Sequence, residues 1–330
     1  MKKGKVSKLI SVAMIGMLIL SGCTNGRSKA STGGKAYTIG ISQLADHPAL
    51  DDARRGFEDG LKELGVDAEI VYQNAQGDIP NSLSIAQKFV KDKVDLIYAI
   101  ATPAAQSAKQ ATNDIPVLFS AVTDPVKSEI VTDWDNVGGN VTGTSDMAPT
   151  ESQLKMFKEI DSNIKKIGIL YNTGESNSEI QIDVVKELAP AEGLEVVTVG
   201  VTNTSEIPQA IDSLLKKVDA VYILSDNLVA SSVELVSKKL IENKKISVSA
   251  EETQVKGGIL VTNGLNYYEL GKQTAEMAKE ILVDKKDIST IPVGIAEKTI
   301  TTVYVNEKTL TELGLDANLP IFKDAVKVGN

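Results

Sequence analysis

The chain has 330 residues, of which 42% are hydrophobic, and a net charge of −9 with one histidine and one cysteine. An acidic chain of this kind argues against a nucleic-acid partner, because nucleic-acid phosphates are bound by basic surfaces. One histidine cannot supply a two-histidine metal site, and one cysteine cannot form an intramolecular disulfide. We therefore expect no metal and no cofactor, in a chain that is long enough for two domains.

The first 22 residues have the parts of a secretory signal, namely a basic start, an apolar run and small residues before a cleavage point. Four lysines fall within residues 2–8, and the apolar run covers residues 9–20. As a helix, this run would span about 18 Å, which is short of a bilayer core of about 30 Å. We predict that residues 1–22 are removed and do not remain as a membrane helix.

The position of the only cysteine indicates lipid attachment. The segment Leu20-Ser21-Gly22-Cys23 resembles the bacterial lipobox, in which the cysteine becomes the acylated first residue of the mature chain. Two acyl chains give stable anchoring, and the small polar residues of 23–36 suit a flexible tether. We expect a lipid-anchored protein on the outer face of the cell membrane. The alternative is an ordinary signal peptide with an incidental cysteine.

Short apolar strands alternate with amphipathic helices in the first half of the body, which predicts a parallel sheet with helices on both faces. Pro48 suits the first turn of the first helix, and Gly65 suits its C-terminal end. The predicted elements are strand 37–42, helix 47–65, strand 68–73, helix 80–93, strand 94–101, helix 103–111 and strand 115–122.

The same alternation restarts after "GGNVTGTSDM" at 138–147, so we predict two doubly wound halves. Helix 267–282 and the tail 297–305 are left over and fit elements that cross back between the halves. The predicted elements of the second half are helix 150–160, strand 165–172, helix 176–190, strand 194–201, helix 204–216, strand 218–226, helix 228–243, strand 245–251 and strand 258–266.

Signatures of common enzymes are missing from the sequence. No GxGxxG follows the first strand, and neither the GxxxxGK[ST] phosphate loop nor the GxSxG nucleophile elbow occurs. The acidic pairs 51–52 and 251–252 lack the spacing of a calcium loop. We therefore expect a protein that is not an enzyme.

Polar and small residues follow most of the predicted strands. Ligands of open α/β sheets bind beyond the carboxyl ends of the strands, so the two halves would present these residues across a polar cleft. Helix N-termini there suit a carboxylate, and the acidic members of the set suit an ammonium, which together fit an amino acid. The candidate ligand residues are Gln43, Thr102, Ala104, Thr123, Asp124, Asp146, Asn172, Asp226, Asn227, Glu251 and Asn263.

Most of the polar candidates also have a structural explanation. The two threonines and the four acidic residues occupy strand-to-helix junctions, where capping of a helix or turn is routine. His47 precedes Pro48 and occupies an N-cap position, with contact to the cleft as the alternative. Tyr267 begins a helix and is expected to pack in the core.

Five segments resemble the ABC-transporter substrate-binding lipoproteins of the tryptophan/tyrosine-type family. They occur in the family's order between residues 37 and 305, and they are "IGISQLADHPALDDARRGFEDGL", "IAQKFVKDKVDLIYAIATPAAQSA", "DIPVLFSAVTDPV", "GGNVTGTSDM" and "NGLNYYELGKQTAEMA". The resemblance implies an α/β fold of the type I periplasmic-binding-protein kind, with two Rossmann-like lobes joined by three crossover segments. Lobe 1 would comprise 37–146 plus 267–295, and lobe 2 would comprise 147–266 plus 296–330.

The resemblance further implies a monomeric solute-binding protein that delivers a small amino acid to an ABC permease and its ATPase. The expected ligand is tyrosine, tryptophan or phenylalanine. Its carboxylate is expected at Thr102 with the amides that follow, and at Thr123, and its ammonium at Asp226. Two alternatives remain open: another solute on the same fold, such as a sugar or nucleoside, and a cell-surface adhesin or receptor.

Overall fold

The computed structural model describes residues 36–295 and 302–329. The predicted signal peptide, Cys23 and residues 23–35 of the predicted tether lie outside the described residues, as does the segment 296–301. Within the described ranges, no helix combines the length and apolar character needed to cross a membrane.

The first half of the body forms a six-stranded sheet in which every strand is parallel to its neighbours. The strands are β1 (Tyr37–Gln43), β2 (Ala68–Asn74), β3 (Leu96–Ile100), β4 (Val117–Val122), β5 (Val141–Ser145) and β11 (Gly294–Ile295). Their order is β11-β5-β4-β3-β1-β2. The connecting helices are α1 (Pro48–Glu63), α2 (Ile79–Asp92) and α3 (Thr102–Ala111). Strands β3, β4 and β5 are buried along their whole length because helices cover both faces.

The second half forms a seven-stranded sheet. Its strands are β6 (Lys166–Asn172), β7 (Glu195–Val201), β8 (Ala220–Ile223), β9 (Ile246–Ser249), β10 (Val261–Gly264), β12 (Thr302–Asn306) and β13 (Val326–Val328). Their order is β13-β12-β10-β9-β8-β6-β7, and only the β10–β12 pair is antiparallel. Its helices are α4 (Thr150–Ile160), α5 (Ser176–Leu188), α6 (Ile207–Leu215), α7 (Asn227–Ala230), α8 (Val233–Glu242), α9 (Glu252–Lys256), α11 (Glu307–Leu313) and α12 (Pro320–Lys323).

Helix α10 (Tyr267–Leu282) follows the second half in the chain but packs on α1 of the first. Glycine makes this close approach possible, because a Cβ at Gly56 would lie 1.9 Å from the carbonyl oxygen of Tyr268. A Cβ at Gly271 would lie 2.1 Å from the carbonyl oxygen of Ala53. This packing supports the prediction that 267–282 crosses back to the first half.

We call the first sheet with α1–α3 and α10 lobe 1, and the second sheet with α4–α9, α11 and α12 lobe 2. The predicted α/β architecture of two mostly parallel sheets is confirmed. We propose that the chain changes lobe near residues 146 and 266, where successive strands change sheet. The third change falls between β11 and β12.

The sequence pattern predicts no element in 138–147, yet "VTGTS" at 141–145 is the buried strand β5, since β4 and β11 pair with it on both sides. One local prediction is wrong. Helix 228–243 is in fact two helices, because the backbone of Ser232 leaves the helical region with ψ near 17°. The second of these helices then begins at Val233.

Candidate ligand site between the lobes

A nearly closed cavity lies between the lobes, at the carboxyl ends of the strands: about 300 Å³ is not filled by atoms, but only about 10 Å³ admits the centre of a water-sized sphere. Lobe 1 lines it with the start of α1, the end of β4, the residue after β5 and the start of α10. Lobe 2 lines it with the starts of α5, α7 and α9 and the residues just before them. Four of the predicted ligand residues are among its lining, namely Asp146, Asp226, Asn227 and Glu251.

Seven predicted residues lie outside this lining, and three of them are held inside lobe 1. Gln43 is bonded within the lobe, since its amide donates to the carbonyl oxygen of Ala45 at 2.8 Å and its Oε1 accepts from Arg54 at 3.3 Å. Thr102 is the first residue of α3, and its buried hydroxyl has no partner among the described residues. Ala104 is buried inside the same helix.

The other four lie beside neighbouring openings or within lobe 2. Thr123 and Asp124 line a separate opening next to α4 and α5, and Asp124 accepts from the N–H groups of the turn that follows it, as the structural explanation requires. Asn172 lines an adjacent opening and donates to Glu175 at 3.0 Å. Asn263 donates to the Ser152 hydroxyl at 3.0 Å.

Unpartnered acceptors are concentrated in the cavity. Buried polar atoms are nearly always hydrogen-bonded in proteins, because an unpaired one costs roughly 1–3 kcal/mol. Four cavity-lining residues nevertheless carry a buried side-chain atom without a partner in the described chain. These atoms are His47 Nδ1, Asp146 Oδ1, Asn177 Oδ1 and Gln254 Oε1. Their clustering indicates a ligand that carries hydrogen-bond donors.

Asp146 is the carboxylate with a free oxygen in this cluster. It is 3% exposed, its Oδ2 accepts from the Tyr267 hydroxyl at 2.5 Å, and its Oδ1 is free. Burial raises the pKa of Asp146, and the Tyr267 hydroxyl, the nearby Thr123 side chain and the backbone N–H of Asp146 offset part of that rise. Asp146 does not cap α4, whose N-cap is Pro149. Tyr267 was expected to serve only in packing, but its hydroxyl holds this carboxylate.

Asp226 and Glu251 have a different role, because their oxygens are occupied within lobe 2. Asp226 caps α7 by accepting from Val229 N at 2.9 Å, and it accepts from Asn172 N at 2.6 Å and Ser178 Oγ at 2.7 Å. Glu251 caps α9 by accepting from the N–H of Thr253. Burial raises the pKa of each to about 7, and for Asp226 the nearby carboxylate of Glu175 adds to the effect.

His47 occupies the N-cap position of α1, but its side chain makes no cap hydrogen bond. Its Nε2 instead lies 3.1 Å from Asn227 Oδ1, so the ring joins the two lobes. Burial lowers the pKa of His47, which keeps the imidazole neutral near pH 7. The expectation of a capping side chain is wrong, and the alternative of a cleft contact is the one observed.

The start of α1 supplies donors to the same cavity. The first N–H groups of a helix have no intrahelical partner, and Ala49 and Leu50, in the first turn of α1, line the cavity. Ala121, at the end of β4, also lines it and has a φ of +56°. A non-glycine residue in this region is strained, and such strain concentrates at ligand sites.

The lobes are in contact across the cleft. In addition to the His47–Asn227 pair, Gln106 Nε2 donates to Ser176 Oγ at 3.4 Å, and the Tyr267 hydroxyl lies 3.5 Å from Ser225 Oγ. Within residues 36–295 and 302–329, no group of three His, Cys, Asp or Glu side chains is arranged to hold a metal ion.

Comparisons with known proteins agree with this arrangement. A tyrosine-binding protein of Clostridioides difficile (strain R20291) is 42% identical over 325 residues, which cover 95% of this chain and 93% of the relative. A structure from Streptococcus pneumoniae in complex with L-Trp is 34% identical with a TM-score of 0.83, and the match covers 88% of this chain and 99% of that one.

A third relative is a ligand-free, open substrate-binding protein with adhesive properties from Clostridium difficile. It is 43% identical, and the match covers 89% of this chain and 99% of that one, but the TM-score is 0.68. The L-Trp complex superposes better despite its lower identity, so the described arrangement of lobes is closer to a ligand-bound form than to an open one.

The predicted family and fold are thereby confirmed, as is the expectation of a binding protein rather than an enzyme. The family model for the ABC transporter substrate binding protein matches residues 38–329. Proteins of this family bind solutes on the extracytoplasmic side for an ABC transporter. This chain belongs to the ABC transporter substrate-binding protein family.

Proposed function

We propose that the protein binds an aromatic L-amino acid, namely tyrosine, tryptophan or phenylalanine, in the cavity between the lobes and delivers it to an ABC permease driven by its ATPase. The observation that carries the proposal is the buried Asp146 with its free Oδ1, among three further unpartnered acceptors in the same cavity. The aromatic class is supported by the relatives, one of which is named for tyrosine and another of which holds L-Trp.

The two charged groups of an amino acid match opposite features of lobe 1. The ammonium is placed at Asp146 Oδ1, because a buried carboxylate oxygen without a partner gains a charge-assisted hydrogen bond there. We propose the first turn of α1 for the carboxylate, because Ala49 and Leu50 of that turn line the cavity, the first N–H groups of a helix have no intrahelical partner, and the helix dipole favours a negative charge. Asp146 takes the role expected of Asp226, whose oxygens already accept three hydrogen bonds.

Binding stabilises the closed arrangement because lobe 2 completes the cavity. The lobes must separate to admit the ligand, since the cavity is enclosed by side chains of both. Contacts that exist only when both lobes surround the ligand shift the equilibrium toward the closed form. The permease would then discriminate loaded from empty protein by the relative position of the lobes.

A thermal-shift screen against the twenty amino acids, sugars and nucleosides tests the proposal. A ligand at 100 times its dissociation constant stabilises the folded protein by about 2.7 kcal/mol, which is a shift of several degrees for domains of this size. We expect the largest shifts from aromatic amino acids. A shift from sugars or nucleosides alone, in protein verified to be ligand-free, would refute the proposal.

We also propose that Cys23 carries the lipid that anchors the protein, and that the chain acts as a monomer. The lipobox-like segment that ends at Cys23 supports the first part. Metabolic labelling with a palmitate analogue should label the wild type and leave Cys23→Ala unlabelled. Equal labelling of both proteins would refute the anchor, and light scattering of the purified protein tests the monomer.

Adhesion is a second candidate function, because the open relative from Clostridium difficile is described as adhesive. Attachment of cells to a host-cell monolayer should fall when the protein is removed, if this function is shared. Restoring the chain with Asp146→Asn separates the two functions, since adhesion would return while amino-acid binding stays weakened. Unchanged attachment after removal would exclude adhesion.

A further inference from the structure

Glu175 is a buried carboxylate that the sequence analysis did not single out. It stands just before α5 and is 3% exposed. Its oxygens accept from Asn172 Nδ2 at 3.0 Å, Asn177 Nδ2 at 3.3 Å and Asn227 Nδ2 at 2.5 Å, and also from the backbone N–H groups of Asn227 and Leu228. Every partner of Glu175 is therefore an N–H donor.

This carboxylate fixes the orientation of the Asn227 side chain. An ionised carboxylate only accepts hydrogen bonds, so the Asn227 amide must turn its nitrogen toward Glu175 and its oxygen away from it. The Asn177 amide has the same orientation, which the carbonyl oxygen of Ser225 also holds by accepting from Asn177 Nδ2 at 3.0 Å. Asn177 Oδ1 is thereby left free in the cavity lining. Asn227 Oδ1 is directed across the cleft to His47.

The orientation of Asn227 in turn fixes the tautomer of His47. Because Asn227 presents an oxygen at 3.1 Å, the neutral ring must carry its proton on Nε2. Nδ1 then has a lone pair and no hydrogen, and it is buried without a partner in a ring that lines the cavity. One carboxylate in lobe 2 therefore turns two ambivalent side chains, an amide and an imidazole, into acceptors.

We propose that Glu175 is a positioning residue that sets the hydrogen-bond polarity of the closed cleft, so that the cleft selects ligands with a protonated amine. Building on the proposed function, this inference identifies how the ammonium is recognised: its three hydrogens meet Asp146 Oδ1, Asn177 Oδ1 and His47 Nδ1. Glu175 acts through Asn227 and His47 and does not touch the ligand. A ligand that carries only a hydrogen-bond acceptor in place of the ammonium would face these three acceptor atoms and would be excluded.

Glu175→Gln tests the inference because it keeps the size of the side chain but gives it a donor, so Asn227 and His47 are no longer held in one orientation, while Asn177 keeps its hydrogen bond to the Ser225 carbonyl oxygen. Glu179→Gln is the matched control, since it removes an exposed carboxylate from the same helix. Affinities for L-tyrosine and for 3-(4-hydroxyphenyl)propionate, which differ only in the ammonium group, are measured by calorimetry or competition.

We expect the effect of the substitution on affinity to depend on whether the ligand carries an ammonium group. Glu175→Gln should weaken L-tyrosine about 10- to 100-fold, as for loss of a hydrogen bond to a charged group. It should weaken the propionate much less, and Glu179→Gln should change neither. Equal losses for both ligands would assign Glu175 a merely structural role and overturn the inference.

The tautomer of His47 provides a second readout, and His47 is the only histidine in the chain. Untagged protein labelled with ¹⁵N-histidine and bound to L-tyrosine should give one ring with a pyridine-type Nδ1 and a pyrrole-type Nε2. Glu175→Gln should mix or reverse this pattern, and the control should keep it. A proton on Nδ1 in the bound wild type would overturn the inference even if the propionate binds too weakly to measure.

Failure of the proposed function has a different signature. If non-aromatic amino acids bind in place of aromatic ones, the aromatic ligand class is refuted, and the same two measurements with the bound amino acid decide the role of Glu175. If only neutral solutes stabilise the protein, both proposals are refuted.

Discussion

Replacing Asp146 by asparagine tests the proposed ammonium site most directly. Asparagine keeps the size of the side chain and an oxygen for the Tyr267 hydroxyl, which now donates to Asp146 at 2.5 Å. It removes the negative charge from the free oxygen. A hydrogen bond to a charged group contributes roughly 1.5–3 kcal/mol, so the dissociation constant for L-tyrosine should rise about 10- to 150-fold. Calorimetry at pH 7.5 measures it.

The empty protein should respond differently from the complex. Burial raises the pKa of Asp146, which means that its ionised form is disfavoured in the folded state. Asp146→Asn should therefore not lower the melting temperature of ligand-free protein. Asp124→Asn is the control, because Asp124 is also buried but accepts from the turn N–H groups of Val126 and Lys127. The Asp124→Asn variant should be less stable than the wild type and should keep its affinity for L-tyrosine. Affinity within twofold of the wild type in Asp146→Asn would refute the site.

Three further predictions concern the site, the packing and the pH response. Tyr267→Phe leaves Asp146 without its hydroxyl donor and should weaken L-tyrosine by roughly tenfold in the same calorimetric assay. Gly271→Ala would force a Cβ to 2.1 Å from a carbonyl oxygen of α1, and we expect urea unfolding to give a loss of about 1–3 kcal/mol. The pKa values of Asp226 and Glu251 are raised to about 7, so the folded protein binds more protons than the unfolded chain between pH 4 and 7. Its melting temperature should rise as the pH falls from 8 toward 6, and Glu251→Gln should flatten that slope; an unchanged slope would contradict the assignment.

The fold was predictable wherever one segment carries its own signal. The apolar runs of β1 and β4 and the amphipathic pattern of α1 are local, and their predicted bounds lie within two residues of the observed ones. The polar, glycine-containing segment of β5 has no such signal. It is a strand because the apolar strand β4 pairs with it, and no single-segment pattern reports a partner elsewhere in the chain.

For the candidate site too, residues with a local sequence signal could be predicted and residues that depend on distant partners could not. The rule that ligands bind at the carboxyl ends of strands directed attention to Asp146 and Asp226, which follow β5 and β8 and line the cavity. It did not reach Glu175 or identify the partner of His47, because His47 and Asn227 are 180 residues apart in sequence. The roles of Glu175, His47 and Asn227 arise only when the two lobes are in contact across the cleft.

The route of the chain between the lobes has a consequence for biosynthesis. Residues 267–295 bring α10 and β11 to lobe 1, and the stretch from β12 to β13 adds two edge strands to lobe 2. A nascent chain interrupted before residue 267 would leave the glycine-lined face of α1 uncovered and the edge of β10 unpaired. Exposed apolar faces and open strand edges promote aggregation and degradation. Lobe 1 is complete only after β11 and lobe 2 only after β13, so we expect truncated products to aggregate or to be degraded.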